Sequence, residues 1–378
     1  MSKKVYVGLS GGVDSSVSAA LLVEQGYDVV GVYMKNWSKD LPGFPCPWKE
    51  DYQDAKRIAV KLGIPFEMFD FEKEYFEKVV QYMIDGYSAG LTPNPDIMCN
   101  QEIKFKLFYE VARERGADFI ATGHYARVGG SDHGSEILDL GGDTPAFKSK
   151  VQDPRSQIYL QRAVDENKDQ TYFLYRISQE ALAHTLFPIG HLTKPQVREE
   201  AKKRGLITAN KKESMGICFV GKVGIRDFLS QYVKTSPGPI VEQNGLVIGQ
   251  HDGAIFYTIG QRHGLDVGGG LPYYVIGKDM TSNTVYVTNN INDENLWTGI
   301  LELTSVHWIT PSKNSELLKA KQLLVRTRHR AALQSGHITD VTDDGLTIAL
   351  DEKIRAITPG QSAVLYDDVT CLGGGIIV

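Results

Sequence analysis

Short apolar runs alternate with amphipathic stretches over the first 125 residues or so of the chain. The runs have the length and β-branched content of buried strands, and the stretches between them place apolar residues at helical spacing. The predicted strands cover residues 5–9, 29–34, 66–69 and 119–122, and the predicted helices cover residues 17–25, 50–62, 72–85 and 102–115. This alternation predicts an α/β domain with a doubly wound parallel sheet and right-handed crossovers. Because such sheets bind ligands at the carboxyl ends of their strands, the segments after strands one, two and four are expected to form one site.

The pattern changes after about residue 215, where short β-branched runs are separated by glycine-rich turns. Regularly spaced short strands with turn signals are typical of small β domains. We therefore predict a catalytic domain over residues 1–213, a small β-rich central domain over 214–285 and a C-terminal β-barrel over 286–378. Residues 129–157 are polar and rich in glycine, which predicts a hairpin or a flexible insert.

The loop after the first predicted strand has the sequence Ser-Gly-Gly-Val-Asp-Ser-Ser at residues 10–16. Gly11 and Gly12 permit positive φ and a close approach of a ligand to the backbone. Ser15 or Ser16 is expected to cap the following helix, whose first N–H groups and dipole favour anions. The spacing fits neither a Walker A loop nor a dinucleotide-binding fingerprint. The loop predicts a cradle for pyrophosphate, and the alternative is an ordinary glycine-rich turn between a strand and a helix.

Charge, composition and cysteine content restrict the partners, compartment and metals that are expected for this protein. The net charge is −5, so any binding of nucleic acid depends on local basic patches rather than on overall attraction. The N-terminus has no signal-peptide pattern, and no apolar run approaches the ~20 residues of a membrane-spanning helix. These features predict a cytoplasmic protein without a membrane partner. The four cysteines include no Cys-x-x-Cys pair, so no metal site is predicted.

Two of the cysteines lie in distinctive segments. Cys99 follows Asn-Pro-Asp-Ile-Met in a predicted loop before the helix at 102–115, and Cys218 lies within Met-Gly-Ile-Cys-Phe. Asp96 precedes Cys99 by three residues, so both can face one pocket. A nearby carboxylate opposes thiolate formation, whereas a helix start just beyond Cys99 favours it. Taken alone, Cys99 is equally well explained as a buried structural cysteine. For Cys218 taken alone, an apolar cysteine in a short strand is the better explanation.

Together, these segments resemble the tRNA-specific 2-thiouridylases, which belong to the PP-loop superfamily of N-type ATP pyrophosphatases with an adenine nucleotide alpha hydrolase-like fold. The resemblance rests on the loop at 10–15, on Asn-Pro-Asp-x-x-Cys-Asn at 94–100 and on Met-Gly-Ile-Cys-Phe at 215–219. Further similar segments are Thr-Gly-His-Tyr at 122–125, Lys-Asp-Gln at 168–170, Tyr-Thr-Ile-Gly-Gln-Arg-His-Gly-Leu at 257–265 and Cys-Leu-Gly-Gly-Gly at 371–375. The chain departs from the family in the length of 129–157 and at His263 and His329, where other members often carry Lys and Tyr.

The resemblance implies ATP-dependent 2-thiolation of the wobble uridine in the anticodon arm of tRNAs for Lys, Glu and Gln. ATP with Mg²⁺ adenylates uridine O2, and sulfur arrives as a persulfide on Cys218 from a sulfur-relay carrier or a cysteine desulfurase. Either the persulfide attacks C2 directly, or Cys99 attacks it, releases hydrosulfide and leaves a Cys99–Cys218 disulfide. Cys99 is thereby implied as the nucleophile and Asp96 as an acid–base group.

The resemblance also implies a set of binding residues. The implied ATP-binding residues are Gly8, Leu9, Ser10, Gly11, Gly12, Val13, Asp14, Ser15, Met34 and Gly123. The implied contacts with the target base are Asn94, Pro95 and Asp96, and the implied contacts with tRNA are Lys168, Asp169, Gln170, Arg328 and His329.

A basic stripe is predicted in the C-terminal domain. Arg326, Arg328 and Arg330 alternate along the sequence, so on a strand they would share one face and could meet RNA phosphates. The alternative is a solvated strand face, which is the commoner origin of a charge run.

Two other functions are compatible with the loop at 10–15. One is an ATP-dependent ligase of the same superfamily, which needs no pair of thiols. The other is a tRNA-binding protein whose nucleotide site has decayed. The products of ATP turnover in the presence of tRNA distinguish the three.

Overall fold

The first domain is built on a five-stranded parallel sheet. The computed structural model describes residues 2–40, 46–130, 158–212, 224–309 apart from 266, 269 and 271, and 321–378. The strands up to residue 186 are β1 Lys4–Gly8, β2 Asp28–Lys35, β3 Phe66–Asp70, β4 Phe119–Ala121, β5 Ala126–Gly130, β6 Ile158–Arg162 and β7 Thr185–Leu186. The sheet has the order β3-β2-β1-β4-β7, and each neighbouring pair is parallel. In the central strand, Val5 and Val7 pack into one helical layer and Tyr6 into the other, so the predicted doubly wound sheet is confirmed.

Helices cover both faces of this sheet, and two of the long ones contain π-helical turns. The helices are α1 Val13–Glu24, α2 Trp48–Leu62, α3 (Glu72–Tyr75, π-helical Phe76–Val80 and Gln81–Ser88), α4 (Pro95–Met98, π-helical Cys99–Leu107 and Phe108–Glu114), α5 Thr171–Leu174, α6 Gln179–Ala183, α7 Lys194–Lys203 and α8 Ile225–Leu229, with 3₁₀ turns at Ile207–Asn210, Ala254–Phe256 and Glu294–Leu296. In the part of the chain that the structure describes, none of them is both long and apolar enough to cross a bilayer.

Helix α1 begins at Val13, four residues before its predicted start. Gly12 is the N-cap residue, with an extended backbone. The hydroxyls of Ser15 and Ser16 donate to the Gly12 carbonyl oxygen at 3.3 and 2.6 Å. The predicted capping role of Ser15 or Ser16 is therefore wrong, because both side chains are bonded inside the first turn.

Helix α4 begins at Pro95, so the predicted loop around Cys99 is also wrong. The fixed φ of proline suits the first turn of a helix, where its missing N–H costs nothing. The Asn94 side chain caps this turn by accepting from the Ile97 N–H at 3.3 Å. Cys99 therefore lies one helical turn after Asp96, on the same side of the helix.

The central domain is a four-stranded sheet with its own small core. Its strands are β8 Gly238–Glu242, β9 Val247–His251, β10 Tyr274–Asp279 and β11 Thr284–Thr288, in the order β10-β11-β8-β9. Ile240, Val275 and Val285 are among the buried residues of this core. The predicted boundary between residues 285 and 286 falls inside β11, so the central sheet extends to Thr288.

The C-terminal domain is a closed barrel, as predicted. Its strands are β12 Trp297–Trp308, β13 Leu323–Arg326, β14 Gln334–Val341, β15 Gly345–Arg355, β16 Ser362–Asp367 and β17 Thr370–Ile377. They follow the order β12-β15-β14-β13-β16-β17, and pairing of β12 with β17 closes the ring. Leucine, isoleucine and valine side chains that alternate along these strands fill the interior.

A hairpin of the first domain extends the barrel sheet. Strands β5 and β6 pair antiparallel from Ala126 with Arg162 to Gly130 with Ile158. Strand β6 in turn pairs with β17, where Leu160 lies opposite Cys371. Only residues 129 and 130 of the predicted hairpin or insert belong to these strands, and residues 131–157 lie outside the described residues.

Candidate nucleotide and thiol site

The loop between β1 and α1 folds back on itself by backbone and hydroxyl contacts. Gly11 has φ of +72°, a conformation that L side chains rarely adopt. A Cβ at Gly11 would also lie 2.6 Å from the Asp51 carbonyl oxygen of α2. The Ser10 N–H donates to Ser15 Oγ at 3.2 Å. The first N–H groups of α1, which have no acceptor within the helix, directly follow this tight loop.

The ends of three strands meet around this loop, as the sequence predicted. A Cβ placed on Gly8 would lie 2.8 Å from Met34 Cε at the end of β2. A Cβ on Gly123, which follows β4, would lie 2.6 Å from the Ser15 nitrogen. Gly123 is thus required because β4 ends directly against the first turn of α1. The structure brings together the ten residues implied as ATP-binding: Gly8, Leu9, Ser10, Gly11, Gly12, Val13, Asp14, Ser15, Met34 and Gly123.

Asp14, in the first turn of α1, has two partners that the sequence did not reveal. Lys194 Nζ lies 2.8 and 2.7 Å from the two carboxylate oxygens of Asp14. The Tyr125 hydroxyl donates to Asp14 Oδ1 at 2.9 Å. Lys194 lies 180 residues after Asp14, so only the fold brings them together. The Thr-Lys-Pro-Gln motif at 193–196 predicted a helix start, which α7 confirms. The motif did not predict that the Lys194 side chain contacts Asp14.

His124 joins the end of β4 to helix α4. Its Nδ1 lies 2.8 Å from Thr122 Oγ1 and its Nε2 lies 3.5 Å from Lys104 Nζ. Burial lowers the pKa of His124 well below its usual value, and the nearby Lys104 charge lowers it further. The imidazole is therefore neutral at physiological pH, and the positive charge nearest to it is that of Lys104.

The thiol of Cys99 is completely buried and opens the π-helical turns of α4. π-Helical turns within α-helices are frequently found at functional sites. Phe108 of the same helix is near Gly8, so α4 packs across the strand ends that carry the nucleotide loop. Asn94, Pro95 and Asp96 lie at the start of this helix. The predicted partner thiol Cys218 lies outside the described residues.

The other two cysteines have surroundings that oppose ionisation. Cys371 is buried in the barrel sheet, and burial raises the pKa of its thiol. Cys46 is half-buried beside Trp37, and burial raises its thiol pKa as well. Neither thiol has the electropositive, accessible setting of a reactive cysteine.

The segment at 168–170 is held mainly by internal contacts. Asp169 is buried and accepts from the Ala163 N–H at 3.0 Å, the Thr171 hydroxyl at 2.8 Å and Arg326 Nη1 at 2.8 Å. Gln170 accepts from the Tyr125 N–H and donates its own N–H to the Tyr125 carbonyl, both at 2.9 Å. Lys168 is half-buried. The carboxylate of Asp169 is thus turned away from solvent, so a direct contact of that side chain with tRNA does not fit this structure.

The predicted basic stripe does not form. Strand β13 ends at Arg326, whose side chain is buried against Asp169. The chain then turns, and Arg330 has a positive φ of 63°. Arg326, Arg328 and Arg330 therefore share no strand face, and that prediction is wrong because the alternation continues beyond the end of the strand.

Arg328 and His329 lie in this turn after β13. Arg328 is exposed, and its Nη2 donates to the Ala356 carbonyl and to Thr358 Oγ1. The His329 ring lies 4.6 Å from the Phe173 ring. Burial, assisted by the charges of Arg330 and Arg326, lowers the pKa of His329 to about 4. Arg328 can therefore offer a positive charge to a ligand, whereas His329 offers a neutral ring.

Three family profiles match successive parts of the chain. A profile described as "tRNA methyl transferase HUP domain" matches residues 3–222. One described as "tRNA methyl transferase PRC-barrel domain" matches residues 226–289. One described as "Aminomethyltransferase beta-barrel domain" matches residues 298–377. Together they cover the three structural units described above.

Curated relatives match over nearly the full length. The chain is 45% identical over 378 residues to the tRNA-specific 2-thiouridylase MnmA of Bacillus subtilis, covering 99% of this chain and 94% of that protein. It is 46% identical over 377 residues to the protein of the same name from Bacillus cytotoxicus, with the same coverage. Among solved structures, a 4-thiouridine synthetase in complex with RNA and ATP is 17% identical, with a TM-score of 0.37 over 61% of this chain and 50% of that chain.

Proposed function

We propose, from the premise that the chain belongs to the tRNA-specific 2-thiouridylase family, that it catalyses ATP-dependent 2-thiolation of a tRNA uridine. The proposed target is the wobble uridine of tRNAs for Lys, Glu and Gln, and the proposed location is the cytoplasm. The observation that carries the proposal is the meeting of the glycine-rich loop, Gly123 and the Cys99 helix at one edge of the parallel sheet.

The first step in this proposal is activation of the base. A uridine C2 carbonyl is a poor electrophile, and its oxygen is a poor leaving group. Attack of O2 on the α-phosphorus of ATP forms an adenylated uridine and expels pyrophosphate, so that AMP becomes the leaving group at C2. The N–H groups at the start of α1 and the charge of Lys104 stabilise the transferring phosphates electrostatically.

Mg²⁺ fits this site as an ion shared between the triphosphate and the loop. Mg²⁺ commonly binds a few protein oxygens together with substrate phosphates. The hydroxyls of Ser10 and Ser15, which lie 3.2 Å apart, and the partly exposed carboxylate of Asp14 are the loop oxygens that would hold it. When bound, the ion would neutralise charge on the departing pyrophosphate.

The second proposed step is sulfur transfer, and two routes balance its atoms and electrons. In the first, the terminal sulfur of a Cys218 persulfide attacks C2 and AMP leaves, after which Cys99 attacks the inner sulfur and releases 2-thiouridine. In the second, Cys99 attacks Cys218 first and releases hydrosulfide, which then displaces AMP from C2. Both routes end with a Cys99–Cys218 disulfide that needs a dithiol reductant, and both need a sulfur-relay carrier or a cysteine desulfurase as donor.

The proposed RNA contacts follow from the positions of the exposed groups. A base in a stacked anticodon must be splayed out before it can react. Asn94, Pro95 and Asp96 lie at the start of the helix that carries Cys99, so they are proposed to hold the target base. Lys168, Gln170, Arg328 and His329 are proposed to contact tRNA, with Asp169 supporting them from the interior.

The test mixes the protein with α-labelled ATP, Mg²⁺, a sulfide source and an unmodified tRNA-Glu transcript. We expect labelled AMP, and thiolated tRNA that is retarded in a gel containing mercury. A transcript with cytidine at the wobble position is the matched control and should give neither product. Labelled ADP in place of AMP would contradict attack at the α-phosphorus. With a cysteine desulfurase and cysteine in place of the sulfide source, full thiolation by Cys218→Ala would contradict the persulfide step.

A further inference from the structure

Lys194 is a buried lysine whose ammonium group reaches into the nucleotide loop. Its side chain is about one-tenth exposed, whereas that of Asp14 is about one-third exposed. The ammonium group binds both oxygens of the Asp14 carboxylate at 2.7–2.8 Å. Lysine is rarely buried unless it is paired, so this lysine has a specific electrostatic task.

The carboxylate of Asp14 places a negative charge at the site where the phosphates are proposed to bind. Its carboxylate lies in the first turn of α1, beside the N–H groups that would bind a triphosphate. A negative charge at a helix N-terminus is favourable for the helix itself. The same charge repels an incoming anion at short range, and the repulsion is stronger where water screens it only in part. A cation that offsets this charge therefore makes the carboxylate compatible with an anion site, and in this structure the cation beside Asp14 is Lys194.

The surroundings fix Lys194 and Tyr125 on Asp14. The Lys194 N–H donates to Asp165 Oδ2 at 2.9 Å. The Lys194 ammonium lies 5.7 Å from the centre of the Tyr125 ring. Tyr125 donates its hydroxyl to Asp14 and is held through its backbone by two hydrogen bonds with Gln170. Both partners of Asp14 are thus anchored by the 165–170 segment.

We propose that Lys194 is a positioning residue of the nucleotide site, which neutralises and orients Asp14 so that the triphosphate can approach α1. Lys194 acts through Asp14 and does not itself contact the nucleotide. This inference rests on the proposed use of ATP and adds a residue to that site.

The experiment is a double-mutant cycle on ATP binding, measured by calorimetry with Mg²⁺ on the full-length protein. The variants are Lys194→Met, Asp14→Asn and the double variant, and circular dichroism checks their folding. Lys194→Met leaves an unpaired carboxylate and is expected to weaken ATP binding at least about tenfold. In the Asp14→Asn background, the same substitution is expected to change the affinity by less than about threefold, because no charge remains to neutralise.

The comparison of Asp14→Asn with the double variant does not depend on the folding of Lys194→Met. A double variant much weaker than Asp14→Asn would overturn the proposal, because Lys194 would then act on the nucleotide directly. A Lys194→Met protein with unchanged affinity would overturn it as well. The KM for ATP in AMP formation should rise in parallel while kcat changes less. If the wild-type protein binds no ATP, the proposed function fails. If it binds ATP but the effects of the two substitutions on affinity are additive, only the proposed role of Lys194 is overturned.

Discussion

The Asp14–Lys194 pair at the nucleotide loop and the Asp169–Arg326 pair at the barrel junction use the same parts in different surroundings. Each joins a carboxylate to a cation at 2.7–2.8 Å, and each cation lies over a tyrosine ring, at 5.7 Å for Tyr125 and 5.6 Å for Tyr366. The carboxylate of Asp14 is 31% exposed, whereas that of Asp169 is 0% exposed.

This difference in exposure separates a pair that we propose to act at a ligand site from a pair that joins domains. Water and ligands can reach the carboxylate of Asp14, so the charge balance at the loop can change when a nucleotide binds. Asp169 has three internal donors, and Arg326 comes from the barrel while Asp169 comes from the first domain. A fully buried pair contributes little net attraction after desolvation, but removing one partner strands a charge.

The largest expected effect is therefore at the barrel junction. Arg326→Met leaves the Asp169 carboxylate buried without its counter-charge and should lower the free energy of unfolding by about 3–5 kcal/mol. Lys194→Met is the matched control at the exposed pair, and it should cost about 1 kcal/mol because water can solvate Asp14. Denaturant unfolding monitored by tryptophan fluorescence measures both. Equal costs in the two variants would mean that exposure does not distinguish the pairs.

An intermediate effect is expected from the backbone of the nucleotide loop. Gly11→Ala adds a Cβ at a φ of +72° that also meets the Asp51 carbonyl at 2.6 Å, so it should cost about 2–3 kcal/mol in stability. It should also weaken ATP binding, since the loop must shift. Gly26→Ala is the matched control, because Gly26 has φ of +82° with nothing within 4 Å of its Cβ.

The two variants separate backbone strain from collision. Gly26→Ala should cost about 1 kcal/mol from strain alone and leave ATP affinity unchanged. Thermal unfolding and calorimetry with ATP supply the two readouts. If Gly11→Ala has the same stability and the same ATP affinity as Gly26→Ala, the loop tolerates displacement from α2.

The sequence could predict the nucleotide site because each of its segments is set by a local pattern of residues. Apolar periodicity located the strands, and a parallel sheet brings strand ends together, so Met34, Gly123 and the loop at 10–15 were expected to meet. Local patterns could not locate the start of α4, because proline is compatible with both a stiff loop and the first turn of a helix.

The charged partners could not be predicted, because pairing depends on tertiary contacts. Lys194 and Asp14 are 180 residues apart, and Arg326 and Asp169 are 157 residues apart. The alternating arginines at 326–330 suggested one exposed face, but alternation has that meaning only while the strand continues. A buried carboxylate such as Asp169 attracts the first of these arginines inward, which a pattern of charges along the chain does not reveal.

The smallest expected effect at neutral pH concerns His329, which lies beside the buried pair at the barrel junction. Its pKa is lowered to about 4, chiefly by burial. As the pH falls from about 6.5 towards 4, the unfolded chain takes up a proton at this position before the folded chain does. Protonation of His329 therefore lowers stability over that window, and its contribution is constant above it.

Replacement of His329 by asparagine should flatten the pH dependence of the unfolding free energy between pH 4 and 6.5. The wild-type protein, unfolded over the same pH range, is the reference for this comparison. An NMR titration of His329 gives the pKa directly. A pKa near 6.5 would mean that water reaches the His329 ring. The barrel junction would then be as open to solvent as the nucleotide loop, and the difference in solvent exposure between the two regions would not hold.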